Sequence, residues 1–475
     1  MNWLLFGIAV YIVVQLIIGL AVSRRVRGEE DYILAGRNVG FLLATFSIFA
    51  TWFGAETCMG AAGEIYTDGL SAGSRDPFGY TLCLGLMALV FAVPLRRRRF
   101  NTLGDLFRTR YSPGVERLAV VLMVPTSVLW SAAQIRAFGQ VLSATGDIPL
   151  VTTMTIATMV VIVYSVAGGM LADVVTDFVQ GILLILGIVV LLIVVVSHAG
   201  GIQEFARTVD ASRLNLFPSD VSPIAHLETW LVPICGSVVA QELISRVLSC
   251  KTPSVARRSC FAATALYFLI ALIPTLLGLV GPHLLPGLDH AEQFLPRLAQ
   301  AHLAPFLYVV FAGALVSAIL STIDSALLAA ASLTCENLVA SVRPQLSSRA
   351  RLRISRGGVI VFGLIAWVLA LESGGIFELV EEASAFGSSG VFTVVVFGLF
   401  TRLGGPLAAA AALITGMSVW LWGHYFAQIE WPYVSSLLAA IAAYAIISSV
   451  GWALPTIFAA GQNSRQPDDA ARAEN

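Results

Sequence analysis

The chain has 475 residues, 57% of them hydrophobic and 12% charged, against roughly 45–50% apolar and about 25% charged in a soluble domain. That excess excludes an ordinary soluble domain and places the chain in lipid. The net charge of −1 argues neither for nucleic acid nor for an acidic partner, so the distribution of the basic residues carries the information.

A bilayer crossing takes about 20 mostly apolar residues. Thirteen apolar blocks edged by charge fall near residues 2–22, 41–65, 77–95, 118–144, 149–168, 172–197, 227–249, 260–281, 304–335, 357–373, 376–400, 405–425 and 432–458. The first is read as a retained helix rather than a signal peptide, because Arg24, Arg25 and Arg27 follow the apolar run instead of preceding it. With the N-terminus outside and the C-terminus cytoplasmic, cytoplasmic segments hold 23 of the 28 basic residues, outward segments hold Arg75, Arg207, Arg213 and Arg297, and Arg136 lies within a span. Shifting the block count by one destroys the asymmetry that the positive-inside rule demands. The expected fold class is therefore an all-α polytopic membrane protein with thirteen transmembrane helices, in a bacterial-type inner membrane.

Residues 1–460 read as a single transmembrane domain. Outward loops at 198–226 and 282–303 are long enough for short surface helices, and the polar stretch 461–475 reads as a disordered cytoplasmic tail. No output domain follows the last span, which disfavours a solute sensor of the same architecture. Cys58, Cys83, Cys235, Cys250, Cys260 and Cys335 show no metal-type spacing and read as buried free thiols.

Two spans combine polarity with small residues. In the second, Ala50-Thr51-Trp52-Phe53-Gly54-Ala55-Glu56-Thr57 sets a carboxylate and an indole at mid-depth beside Gly54, which predicts an unwound helix. Irregular backbone survives at that depth only inside protein or against a cavity, and such breaks mark transport sites. Unwinding would release carbonyls such as those of Ala50 and Phe53 for a small hard cation, with sodium the obvious candidate. In the ninth, Ser317-Ala318-Ile319-Leu320-Ser321-Thr322-Ile323-Asp324-Ser325 brings Ala318, Ser321 and Thr322 onto one helical face. Serine and threonine alone in a span are more often packing glue than ligands. Asp324 shifts the balance toward function, since a carboxylate at a helix centre costs at least ~2.5 kcal/mol on insertion scales.

With these segments, Asp31-Tyr32-Ile33-Leu34-Ala35-Gly36-Arg37 and Tyr164-Ser165-Val166-Ala167-Gly168-Gly169-Met170-Leu171-Ala172 ahead of Thr176-Asp177, the chain resembles the sodium/solute symporter family over nearly all of residues 1–460. The resemblance implies a LeuT-like plan: two inverted five-helix repeats, at about 41–197 and 227–400, with one helix before and two after. It implies a sodium site on the carbonyls of Ala50, Phe53 and Ala318 and the hydroxyls of Ser321 and Thr322, with sodium as the coupling ion and Asp177 on its path to the cytoplasm. Asp173 reads as an acid favouring a helix N-terminus. A monomer is expected.

Among family members, Ala35 to Gly40, Ala50-Thr51-Trp52, Phe78-Gly79-Tyr80 and Leu129-Trp130-Ser131-Ala132-Ala133 most resemble the choline carriers. Trp52, Tyr80 and Trp130 would form an aromatic cage, whose ring faces attract a quaternary ammonium by ~0.5–2 kcal/mol each, with Glu56 or Asp324 balancing charge. Ala240 stands where that branch places another tryptophan, and Gln134, Arg136, Gln241 and Glu242 supply polar groups nearby. Trp52, Glu56, Tyr80, Trp130, Gln134, Gln241 and Asp324 are therefore the candidate substrate residues. A carboxylate or sugar remains open as solute beside a quaternary amine or amino-acid-like compound. Arg136 is either a structural ion pair or a cavity cation. Glu378, Glu381 and Glu382 read as solvated at an outward span end, and Gly387-Ser388-Ser389-Gly390 as a bend. A membrane enzyme would want a nucleophile with a base, or a metal cluster, at one depth, and the sequence offers neither.

Overall fold

A computed structural model describes residues 3–23, 33–146, 148–167, 170–343 and 345–463. The Arg24, Arg25 and Arg27 cluster, Asp31 and Tyr32, the Gly168-Gly169 pair and the tail from residue 464 lie outside the described residues.

Within them the chain is helical, with a lone parallel bridge between Val39 and Cys250. In order come α1 (Trp3–Ser23), α2 (Phe41–Trp52), α3 (Glu56–Asp68), α4 (Leu70–Arg97), α5 (Pro113–Gly146), α6 (Leu150–Ala167) and α7 (Met170–His198). There follow α8 (Pro223–Gly236), α9 (Gln241–Ser249), α10 (Pro253–Leu284), α11 (Pro305–Val342), α12 (Ser348–Glu372), α13 (Ile376–Ala385), α14 (Ser388–Phe400), α15 (Pro406–Phe426) and α16 (Pro432–Asn463). The long loops carry the short helices Ile202–Arg207 and Phe294–His302.

Among the described residues, eight helices are long and apolar enough to cross a membrane, or eleven if each of three bent pairs is one span. The sequence predicts thirteen. The apolar stretches Trp3–Val14 and Leu150–Val163 are the two that fall short. For α6 the margin is small, since its 18 residues reach about 27 Å against a hydrocarbon core of ~30 Å.

The bent pairs are α2/α3 at 44°, α8/α9 at 42° and α13/α14 at 41°. Each break falls at small residues. Gly54 follows the first kink, Gly236-Ser237 leads into the second, and Gly387 takes the left-handed conformation at φ 64° in the third. A helix buried all round needs no polar stripe, and α11 shows this, with every residue from Phe311 to Ser332 buried. It packs along α5 and α7, and α7 in turn packs on α2. Outside this centre, Leu89, Val121, Val163, Ile193, Leu407 and Phe426 stand exposed, as faces that meet lipid require.

The face that gathers the basic residues is fastened by arginines. Arg96 donates to the Cys250 carbonyl beyond α9, Arg98 to Leu399 O in α14 at 2.9 Å, and Arg110 to Leu403 O at 2.8 Å. The Arg96 and Arg98 forks satisfy carbonyls that a helix end leaves without partners, and Arg110 binds one in the loop that follows. Arg246 falls by sequence among the 23 basic residues counted to cytoplasmic segments, yet it does not lie at the surface. It is only 1% exposed and lies among α2, α7, α9 and α11.

Candidate functional site

At the first break, Phe53 leaves helical geometry (φ −86°, ψ 87°). The Gly54 amide donates to Trp52 O at 3.2 Å rather than to Ala50 O, so the Ala50 carbonyl is released from the ladder. The Thr322 hydroxyl of α11 lies 3.4 Å from it and 3.1 Å from the Ala318 carbonyl. Three of the five predicted sodium ligands thus converge. The Ser321 hydroxyl is turned away from them and donates to Asp177, which also accepts from Ser47 at 2.6 Å.

Asp177 is therefore part of the centre itself, one hydroxyl removed from the Ala50 group. Arg246 stands over it, with Nη2 at 3.5 Å from the Asp177 carboxylate and 2.9 Å from Ser325 Oγ, and Nε at 3.0 Å from the Ser47 carbonyl. Asp173, read from sequence as a plain helix-start acid, is fully buried and accepts from Ser325 Oγ. Asp324 sits beside Asp173 and Ser165, on the α7 side of α11. The expectation that it balances charge at the cage is not met by this placement.

The aromatic residues do come together. Trp52 lies 5.5 Å from Tyr80 and 4.7 Å from Trp130 between ring centroids, and Tyr80 lies 6.3 Å from Trp130. They close on one another, in the edge-to-face and offset geometries that rings favour. Tyr80 and Ser384 share a hydrogen bond of 3.1 Å between hydroxyls, and Ser384 another of 3.0 Å with Ser237. Glu56 accepts from Gln134 at 2.5 Å on the far side of Trp130 from the basic face.

Toward the basic face, a cavity of about 30 Å³ is lined by Trp130, Ser237, Ala240, Glu242, Ser384 and Ser388, among others. That volume holds a water or two, so an organic solute requires the rings to part. Gln241 does not line it. Its side-chain carbonyl accepts from the Leu103 amide at 2.9 Å and its amide donates to Ser245 at 2.8 Å. The neighbour Glu242 faces the cavity instead, because α9 begins at Gln241 and successive helical residues point about 100° apart.

Two groups escaped the sequence reading. Asp76, in α4, accepts from Thr57 at 2.9 Å and from Tyr267 at 2.7 Å, joining α3, α4 and α10 behind the break. Its signal was an acid directly before Pro77. Glu292, in the loop before Phe294–His302, accepts from Gln140 at 2.9 Å and Arg136 at 3.4 Å and from the Ile376 amide that opens α13. Arg136 adds bonds of 3.0 and 2.9 Å to the carbonyls of Ser373 and Gly374. This settles Arg136 as a structural pair. Glu381 pairs with Arg75 at 3.0 Å and Glu382 accepts from Tyr425 at 3.1 Å on the same side.

The Arg136 network closes the face opposite the arginine fasteners. Arg136→Ala should loosen it, and a cysteine placed at Gln134 should then react faster with a membrane-impermeant maleimide than in the parent. An unchanged labelling rate would mean that the network does not control access.

Discontinuous helices meeting at an oxygen-lined centre, within a bundle of apolar helices, define a membrane transporter. Comparison with known proteins gives its lineage. Residues 32–416 match the sodium:solute symporter family, and the chain belongs to that family; it is a transporter, not an enzyme. It is 28% identical over 398 residues to the high-affinity choline transporter 1 of Drosophila melanogaster, covering 78% of this chain and 63% of that protein's length. It is 26% identical to the sodium/pantothenate symporter of Escherichia coli over 95% of both chains. Among solved structures, a Na+-coupled sialic acid symporter in a substrate-bound outward-open state superposes with TM-score 0.82 at 18% identity, covering 94% of this chain and 98% of that one. The closed conformation of Mhp1, a nucleobase-cation-symport-1 family transporter, gives 0.62 at 15% identity over 90% and 95%.

Proposed function

We propose that the chain imports a small organic solute, a quaternary amine or an amino-acid-like compound, together with sodium by alternating access. The observation that carries this reading is the break at Phe53, where the Ala50 and Ala318 carbonyls meet the Thr322 hydroxyl beside a cluster of three aromatic rings. Ser321 completes the ion's ligands by turning from Asp177, and Phe53 adds its carbonyl. Trp52, Tyr80 and Trp130 hold the solute with Glu56 and Gln134, while Asp177 receives the ion on its way inward.

The topology proposed is thirteen spans, with the N-terminus outside, the arginine-fastened face in the cytoplasm and the protein acting as a monomer in the plasma membrane. Residues 41–197 and 227–400 form the two inverted repeats. Two correspondences support this: the opening span of each repeat is bent, at 44° and 42°, and the third of each is long, at 34 residues in α5 and 38 in α11. With sodium low in the cytoplasm and the potential contributing ~2.3 kcal/mol per charge per 100 mV, release inward is downhill.

A carboxylate solute is the second reading, favoured by the end-to-end likeness to the pantothenate symporter. Replacing Ser321 and Thr322 together by alanine tests the coupling. The half-saturating sodium concentration for uptake into proteoliposomes should rise roughly tenfold, as losing ~1.4 kcal/mol of ion binding requires. Unchanged sodium dependence removes those hydroxyls from the site and makes proton coupling the leading alternative.

A further inference from the structure

The two carboxylates flanking Trp130 say which kind of amine the site takes. Glu56, on one side, is 3% exposed; Glu242, on the basic-face side and in the cavity wall, is 5% exposed. Glu56 Oε2 and Glu242 Oε1 each lack a hydrogen-bond partner among the described residues. An acceptor buried without a donor is costly, and more so when it belongs to an ionised group. Such groups at membrane depth face a partner or a ligand path.

Among the described residues, no arginine near the cavity is free to serve them. Arg136 is spent on Glu292 and the carbonyls of Ser373 and Gly374. Arg246 touches Glu242 only through its backbone carbonyl, at 3.3 Å, and commits its other nitrogens to Ser47, Ser325 and Asp177. The path past the rings is thus flanked at both ends by a buried carboxyl group, and among the described residues no arginine beside it is set aside for an anionic solute.

Resting on the transporter reading above, we propose that the solute is a protonated amine bearing N–H groups, and that Glu242 is its charge partner on the basic-face side of Trp130, as Glu56 is on the other. A quaternary ammonium is drawn to the ring faces but has no hydrogen to give, so it leaves both carboxylate oxygens unmet. A primary or secondary ammonium does both: its charge lies against the rings and its N–H groups make charge-assisted bonds to the carboxylates. Ser237, Ser384 and Ser388 line the same cavity and suit a solute hydroxyl or a second amine. Ala240 contributes only a methyl group to that wall.

Matched pairs test this on the full chain in detergent with sodium present. Ethanolamine and choline differ only in the replacement of N–H by N-methyl, as do 1,4-diaminobutane and its hexamethylated counterpart; lactate represents the carboxylates. The N–H member of at least one pair should raise the melting temperature more than its methylated partner, with lactate inert. In Glu242→Gln the amine concentration giving half the shift should rise about tenfold or more, while the shift given by sodium alone stays as in the parent and reports an intact fold. A larger response to the methylated partner or to lactate, a panel in which no amine acts, or a Glu242→Gln protein with unchanged amine response overturns the proposal. Loss of the sodium shift in the parent itself would instead count against sodium coupling.

Discussion

Arg246→Ala should destabilise the protein by about 3–5 kcal/mol, the cost of leaving buried charge uncompensated, and should abolish sodium-driven uptake. Among the described residues the guanidinium is the one cation that contacts the buried Asp177, and through Ser325 it also reaches Asp173. Removing it leaves Asp173, Asp177 and Asp324 gathered without a counter-charge, and strips a donor from the Ser47 carbonyl on the broken helix α2. Lysine should recover only part of the loss, because a single ammonium cannot reach Ser47, Ser325 and Asp177 at once as the planar fork does. Adding Asp177→Asn to Arg246→Ala should restore part of the melting temperature without restoring uptake. An Arg246→Ala protein that melts with the parent would show that these acids are neutral in the folded state and that the arginine is not their counter-ion.

Gly236→Ala should be nearly as damaging for a different reason. A Cβ there would lie 2.0 Å from the Ser384 carbonyl oxygen and 3.0 Å from both Ser384 C and Ser388 Oγ, so backbone rather than a flexible side chain would have to move. Overpacking of this kind costs typically ~1–3 kcal/mol, occasionally more. The added methyl also drives a wedge between α8 and α13, next to the bends of both. Uptake should fall further than stability does, since the wedge sits where two bent helices must slide. Gly40→Ala is the control: a Cβ there meets nothing within 4 Å, and its uptake and melting temperature should match the parent. Equal behaviour of the two variants would exclude close packing of α8 on α13 as a requirement.

Much of this could be read from the chain alone, for reasons that also mark where reading stops. Apolar blocks edged by charge show where helices run, and Gly54 beside Glu56 and Gly387 beside Ser388 show where two of them bend. Convergence on Thr322 was legible because Ala318 and Thr322 are one turn apart. Arg246 was misjudged because depth cannot be read at a span end: α9 starts only after a 42° bend, which carries its later residues into the bundle. The same bend exchanges Gln241 for Glu242 at the cavity. Asp76 with Tyr267, and Glu292 with Arg136, unite residues more than a hundred positions apart on separate elements. Such pairings have no local period, and only the packed helices reveal them.

The arginine forks on the basic face give that charge a second employment. Arg96, Arg98 and Arg110 belong to the basic excess from which the proposed orientation is read, and in the folded protein they grip carbonyls just past α9, at the end of α14 and in the loop beyond it. Insertion needs only the positive sign, whereas the grip needs the planar fork. Exchanging these arginines for lysines would leave the protein oriented as before in the bilayer but with an unlatched basic face, a form that leaks between its two sides without having lost its orientation.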